Sequence, residues 1–201
     1  MLDTLPTELI VLIFNDFNFD DLVICILISK RYKKIIKNIH IKVANFLAYT
    51  YKDIQILHTF KLDIKKLHLC EYYISDKIFK CVNLSKINYE ILVFDSIDWE
   101  YNKIQDLIEL DSEISEKCKK IIFYGCQNYS LSLITSFKIL KNCKIIKIHG
   151  SHNLIGSDFC RIILEILDVL PELTILFDEW ELSFKDLELL WDHERIILKR
   201  E

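Results

Sequence analysis

Three stretches of the chain repeat one pattern of apolar positions: hydrophobe-x-x-hydrophobe-x-hydrophobe-x-x-cap. They are Cys118/Ile121/Phe123/Cys126, Cys143/Ile146/Ile148/Ser151 and Leu170/Leu173/Ile175/Asp178, with starts 25 and 27 residues apart. Ile64/Leu67/Leu69/Tyr72 is a fourth copy with a poorer cap, and Ile91, Val93 and Phe94 supply a strand for another, in a register ambiguous between residues 84 and 100. A period of this length is the mark of a chain built from one supersecondary unit stacked on itself. It restricts the fold severely, because each unit can bury its apolar face only against its neighbours.

Helix-like segments separate the strands: Ser75–Asn83, Asn102–Cys118, Leu131–Lys141, Asp158–Leu170 and Phe184–Glu194. Gly125 and Gly150 fall at the same point of consecutive repeats, although the chain has only three glycines. The stretch Ile196–Glu201 can supply a last strand. The spacing favours a solenoid over the alternative, an ordinary α/β domain of alternating strands and helices.

Ahead of the repeats, residues 5–40 read as a small helical unit. Pro6 suits the first turn of a helix, where its missing N–H costs little, and Glu8 suits the positive end of the helix dipole. Leu5, Leu9, Leu12, Ile13 and Phe17 form an apolar stripe at helical spacing, which Ile10 and Phe14 widen beyond what one helix can bury. Asp20 and Asp21 are candidate caps for a second helix through Ile28, and Lys30–Asn38 reads as a basic third helix with Tyr32, Ile35 and Ile36 inward. Residues 41–61 read as a linker helix with Val43, Phe46, Leu47, Ile54 and Leu57 on its apolar side. A module of roughly 40 residues is too small to be securely stable alone, so it must pack on the rest of the chain or on a partner.

The same N-terminal residues carry a family resemblance. Leu5-Pro6-Thr7-Glu8-Leu9, Ile13-Phe14, Phe17, Asp21-Leu22 and Ile28-Ser29-Lys30-Arg31-Tyr32 resemble the F-box pattern at the family spacing. The departures are Phe17 for Leu, Ile28-Ser29 for Val-Cys and Tyr32 for Trp. The repeats resemble leucine-rich repeats of the type with cysteine at the polar turn, in a degenerate form with Ile often replacing Leu. Together these resemblances imply an α/β chain: a three-helix F-box (1–40), the linker helix (41–61), and about five degenerate repeats (62–201). Parallel strands would line the concave face of that short solenoid, and helices its convex face.

An F-box implies docking onto a Skp adaptor, here through Leu5, Pro6, Leu9, Ile13, Leu22, Ile28 and Tyr32. The repeats would then hold a protein target. One outward column would be His68, Leu92, Ile122, Lys147 and Thr174, and the next Cys70, Phe94, Tyr124, His149 and Leu176. From these, Phe94, Ile122, Tyr124, Lys147, His149 and Leu176 are the expected target surface, unless a loop or the C-terminal tail covers them.

Composition narrows the function further. Hydrophobic residues make up 51% and the formal net charge is −4, which supports a packed core and gives no global pull toward nucleic acid. Lys30–Lys42 holds only basic charges, and their place in the F-box pattern accounts for them. The acids of Glu172–Glu194 read as a solvated helix face. The seven cysteines include no C-x-x-C pair, and no secretory signal pattern opens the chain, so reduced, buried thiols in a cytoplasmic or nuclear protein are expected. Leu22–Ile28, a long apolar run, is too short to span a bilayer. His149-x-x-His152 lacks a third ligand at metal-site spacing, and no nucleophile-elbow, zincin or phosphate-loop motif occurs.

The expected role is therefore non-enzymatic, with no catalytic residue, cofactor or metal. The chain is read as a substrate-recognition adaptor of an SCF (Skp-cullin-F-box) ubiquitin ligase, partnered by the Skp adaptor and a protein target, with no nucleic acid and no membrane. The alternatives are a non-degradative F-box/repeat scaffold, or a pathogen or viral protein that borrows a host ligase.

Overall fold

The computed structural model describes residues 4–70, 87–96, 117–126, 142–149, 161, 163–165, 167, 168, 170–178, 190 and 193–199. Three helices open the chain: α1 (Thr7–Asn15), α2 (Phe19–Ile28) and α3 (Lys30–Ile36). Pro6 occupies the N-cap of α1 and Glu8 its first turn. The cap of α2 is Asn18, whose side chain accepts from the Asp21 backbone N–H at 2.9 Å, so the expected Asp20 and Asp21 lie inside the first turn instead. Ser29 caps α3 by accepting from Tyr32 N–H at 3.4 Å, which lets α2 and α3 join through a single extended residue.

The inward face of the module differs from the expected stripe. Ile10 and Phe14 are its buried α1 residues, while Leu9 and Leu12 point to solvent. Phe14 meets Tyr32 edge-on at 5.5 Å between ring centroids, and Tyr32, Ile35 and Ile36 are buried as expected. Arg31 Nη2 donates to the Leu5 carbonyl at 2.7 Å and ties the start of the module to α3.

The linker helix expected over 41–61 is instead a strand and a shorter helix: β1 (His40–Ala48) and α4 (Tyr51–Thr59). Thr50 and Asp53 separate them with a capping box. Asp53 Oδ2 accepts from Thr50 N–H at 2.8 Å, and Thr50 Oγ1 accepts from Asp53 N–H at 3.4 Å. Val43, Phe46 and Leu47 therefore belong to a strand, and only Ile54 and Leu57 to a helix.

After α4 come β2 (Lys61–Cys70), β3 (Asn88–Asp95), β4 (Lys120–Tyr124), β5 (Ile145–His149), β6 (Thr174–Asp178) and β7 (Ile196–Lys199). All seven pair in sequence order, and every pairing is parallel. A helical N-terminal module followed by a parallel-strand solenoid is thus the fold. Among the connections, residues 161, 163–165, 167 and 168 and residue 190 are helical. The expected helices Ser75–Asn83 and Leu131–Lys141, nearly all of Asn102–Cys118, most of Phe184–Glu194 and the rest of Asp158–Leu170 lie outside the described residues, as do Tyr72, Gly150 and Ser151. No helix among the described residues is long and apolar enough to cross a membrane.

The register stacks like residues on like. One row runs Phe46, Leu67, Leu92, Ile121, Ile146, Ile175 and Ile196, and all seven are buried. The next inward row is Ala48, Leu69, Phe94, Phe123, Ile148 and Phe177, also buried, with Phe94 and Phe123 stacked at 5.4 Å. Both rows share one core cluster with Ile54 and Leu57 of α4 and with the module's own Ile10, Phe14 and Tyr32. Phe19 of α2 meets Phe46 of β1 edge-on at 5.6 Å, joining the helices to the first row.

The turns after β3 and β4 are alike. Ser96 follows β3 with φ 55° and Gly125 follows β4 with φ 60°. Their backbone N–H groups donate to the Tyr124 carbonyl (2.7 Å) and the His149 carbonyl (2.8 Å), extending the ladder by one bond each. A left-handed conformation at a residue with a Cβ costs on the order of 1–2 kcal/mol, so Ser96 is the less comfortable occupant.

Ile121→Ala, which empties a site 0% exposed at the centre of the first row, should destabilise the chain by about 2–5 kcal/mol in urea unfolding. Ser96→Gly should raise stability by up to about 1 kcal/mol in the same assay, because glycine takes the left-handed turn without steric cost.

Candidate functional site

Two surfaces could hold a partner: the outer side of the helical module and the strand face opposite the buried rows. On the module, α1 exposes Leu9 and Leu12, and α2 exposes Ile24, Leu27 and Ile28, the last two 80% and 70% exposed. These five are the majority of the nine exposed large hydrophobics among the described residues, so the unmet demand for burial concentrates there. Fully burying a side chain of this size is worth about 1.5–3 kcal/mol, enough for a few such residues to anchor a partner.

The expected docking residues divide by burial. Leu9 and Ile28 are exposed, as is Pro6, while Leu5 and Ile13 are partly buried against the core. Leu22 (1% exposed) and Tyr32 (5%) lie inside the module, where they hold the helices together and cannot themselves touch a partner. Leu12 and Leu27 were not singled out for docking. The signal for Leu27 was its place two residues before Ser29, on the outward side of a helix whose buried residues are Leu22 and Cys25.

On the strand face, the outward column is Leu47, His68, Val93, Ile122, Lys147, Leu176 and Ile197. Beside it run Cys70, Asp95, Tyr124 and His149. The expected columns need two corrections. In β3 the register is one residue later, so Leu92 and Phe94 stand in the two core rows, and Val93 and Asp95 take places on the opposite face, where Val93 is itself buried at 2% exposure. In β6 Leu176 pairs with Lys147 and not with His149, and Thr174 pairs with Ile145.

Of the expected target surface, Ile122, Tyr124, Lys147, His149 and Leu176 therefore do line this face, while Phe94 does not. Tyr124 is 49% exposed and its ring packs on His149 with centroids 4.7 Å apart. The C-terminal stretch does not fold over the face: it forms β7 and pairs at the edge of β6.

Among the described residues, the outward columns bring together one set of metal-type side chains, His68, Cys70 and Asp95. His152, the close sequence neighbour of His149, lies outside the described residues. The repeat cysteines have a different character. Cys118 and Cys143 are buried, and each thiol points at the carbonyl two residues on, Lys120 O at 3.5 Å and Ile145 O at 3.4 Å. Cys126, 0% exposed, donates to Phe94 O at 3.3 Å and so satisfies the strand end of the neighbouring repeat. Burial pushes the Cys118 thiol up to about 12 and the Cys143 thiol up to about 11, the opposite of what a nucleophile needs.

The family model of the F-box domain matches residues 2–44. The N-terminal module is thus an F-box, and its matched segment extends into β1. No curated protein matches the chain.

Because alkylation proceeds through the thiolate, Cys118 and Cys143 should react at least roughly a hundredfold more slowly in the folded chain than in denaturant at pH 8. Peptide mapping after timed alkylation reads this directly. Rapid native labelling of either thiol would contradict their assignment to the core.

Proposed function

We propose that this protein is a substrate-recognition adaptor of an SCF-type ubiquitin ligase. F-box domains generally bind Skp-type adaptors, and the observation that carries the reading is the F-box match at residues 2–44 together with exposed Leu9, Leu12, Leu27 and Ile28 on that module. These side chains would enter the adaptor. The partly exposed strand face, with Ile122, Tyr124, Lys147, His149 and Leu176, would hold a protein target. Such a chain performs no bond chemistry of its own: it supplies proximity and orientation, so that a lysine of the target meets the ubiquitin-loaded partner. A cytoplasmic or nuclear setting goes with that role.

The test is co-expression of the full chain with a Skp adaptor, comparing the wild type with Leu9→Ala/Ile28→Ala. Both side chains are exposed, 46% and 70%, so the double variant should keep its fold. Central apolar anchors at interfaces cost about 2 kcal/mol or more each when truncated, which predicts at least roughly a hundredfold weaker binding. Undiminished binding by the folded double variant would contradict docking through this face, and no binding by the folded wild type would contradict the adaptor role.

A further inference from the structure

His68 and Cys70 stand two residues apart on β2 and so share a face, and Cys70 pairs directly with Asp95 of β3. The parallel register thereby places an imidazole, a thiol and a carboxylate together, with one donor atom from each within 4.8 Å of the other two. Asp95 Oδ2 lies 3.2 Å from His68 Nε2 and 3.8 Å from Cys70 Sγ. A tetrahedral zinc ion, with bonds of about 2.05 Å to N, 2.1 Å to O and 2.3 Å to S, spaces N from O by about 3.4 Å and S from O by about 3.6 Å. The two separations from Asp95 Oδ2 are close to these values, and the imidazole nitrogen and the thiol sulfur lie within 4.8 Å of each other, near enough for side-chain rotation to close on an ion.

The cluster is incomplete as a hydrogen-bond network. His68 Nε2 is buried, and among the described residues its polar contact is the 3.2 Å approach to Asp95 Oδ2 rather than a well-formed hydrogen bond. Burial also lowers the His68 pKa, outweighing the pull of Asp95 in the other direction, with Lys66 adding to the lowering. Asp95 is oriented from behind, since Ser96 Oγ donates to its Oδ1 at 2.8 Å and leaves Oδ2 toward His68 and Cys70. Tyr49 interacts with the Cys70 sulfur.

We propose that His68, Cys70 and Asp95 form a zinc site that ties β2 to β3, with three protein ligands and a fourth position filled by water. Loading transfers the Cys70 proton to solvent. Thiolate and carboxylate then place two negative charges against the two positive charges of the ion, while imidazole, thiolate and carboxylate suit a borderline-soft cation. The side chains of His68 and Asp95 retain 20% and 24% of their exposure, so the fourth position can be reached from solvent.

The test is titration of the reduced full chain with Co²⁺, which reports thiolate ligation by a charge-transfer band in the near ultraviolet. The wild type should show a saturable band at one ion per chain that Zn²⁺ removes. Cys70→Ser should lose the band, and Cys25→Ser, altered in the helical module, should keep it. Asp95→Asn preserves the side-chain shape and should weaken zinc competition by about tenfold or more. Circular dichroism establishes that each variant is folded. Absence of the band in folded wild type, or its survival in Cys70→Ser, would overturn the site. Should Cys70→Ser fail to fold, Asp95→Asn decides: unchanged zinc affinity overturns the proposal as well.

Discussion

Everything in this molecule hangs on the parallel register that begins at β1. A strand of five residues buries too little to persist alone, and its backbone groups need partners on both sides. Stacking meets both needs together. Each added strand pairs its backbone with the one before and sets its own apolar side chain on the row that runs from Phe46 to Ile196. The helical module joins at the first rung, where Phe19 meets Phe46, and its core is continuous with that of the sheet. A unit of its size gains from this what it cannot supply alone.

Much of this was legible in the sequence, and the failures have physical causes. The copies beginning at Cys118 and Cys143 have the spacing that the register confirms, Ile121 pairing with Ile146. In β3 the run Ile91-Leu92-Val93-Phe94 is apolar throughout, so alternation gives no face, and a slip of one residue exchanges inside for outside. That slip hid Asp95 behind Phe94 and with it the cluster around His68. β1 was misread because two outward residues, Ala44 and Asn45, interrupt its alternation, leaving Val43, Phe46 and Leu47 at a helix-like spacing. In β6 the insertion before Ile175 displaced the expected register by two positions.

The F-box pattern has a different lesson. Its residue types were read correctly, but a motif does not say which of its side chains face inward. Leu22 and Tyr32 hold the helices together, whereas Leu12 and Leu27, less prominent in the pattern, are among the most exposed apolar groups. The module's outer side and the strand face therefore differ in kind. The first is apolar and strongly exposed. The second is mixed, with Lys147 and His149 among half-buried hydrophobes, as suits recognition that depends on particular polar contacts. The buried thiols of Cys118, Cys126 and Cys143 belong to neither surface, since they serve the repeat turns.

On the adaptor reading proposed above, these two surfaces have separate jobs: the helical module docks a Skp adaptor and the strand face stays available. Amide hydrogen exchange of the full chain, with and without a Skp adaptor, tests this most directly. Added protection should be confined to residues 7–28, with exchange along β4, β5 and β6 unchanged. Protection centred on Tyr124, Lys147 and His149 instead, with α1 and α2 unaffected, would contradict it.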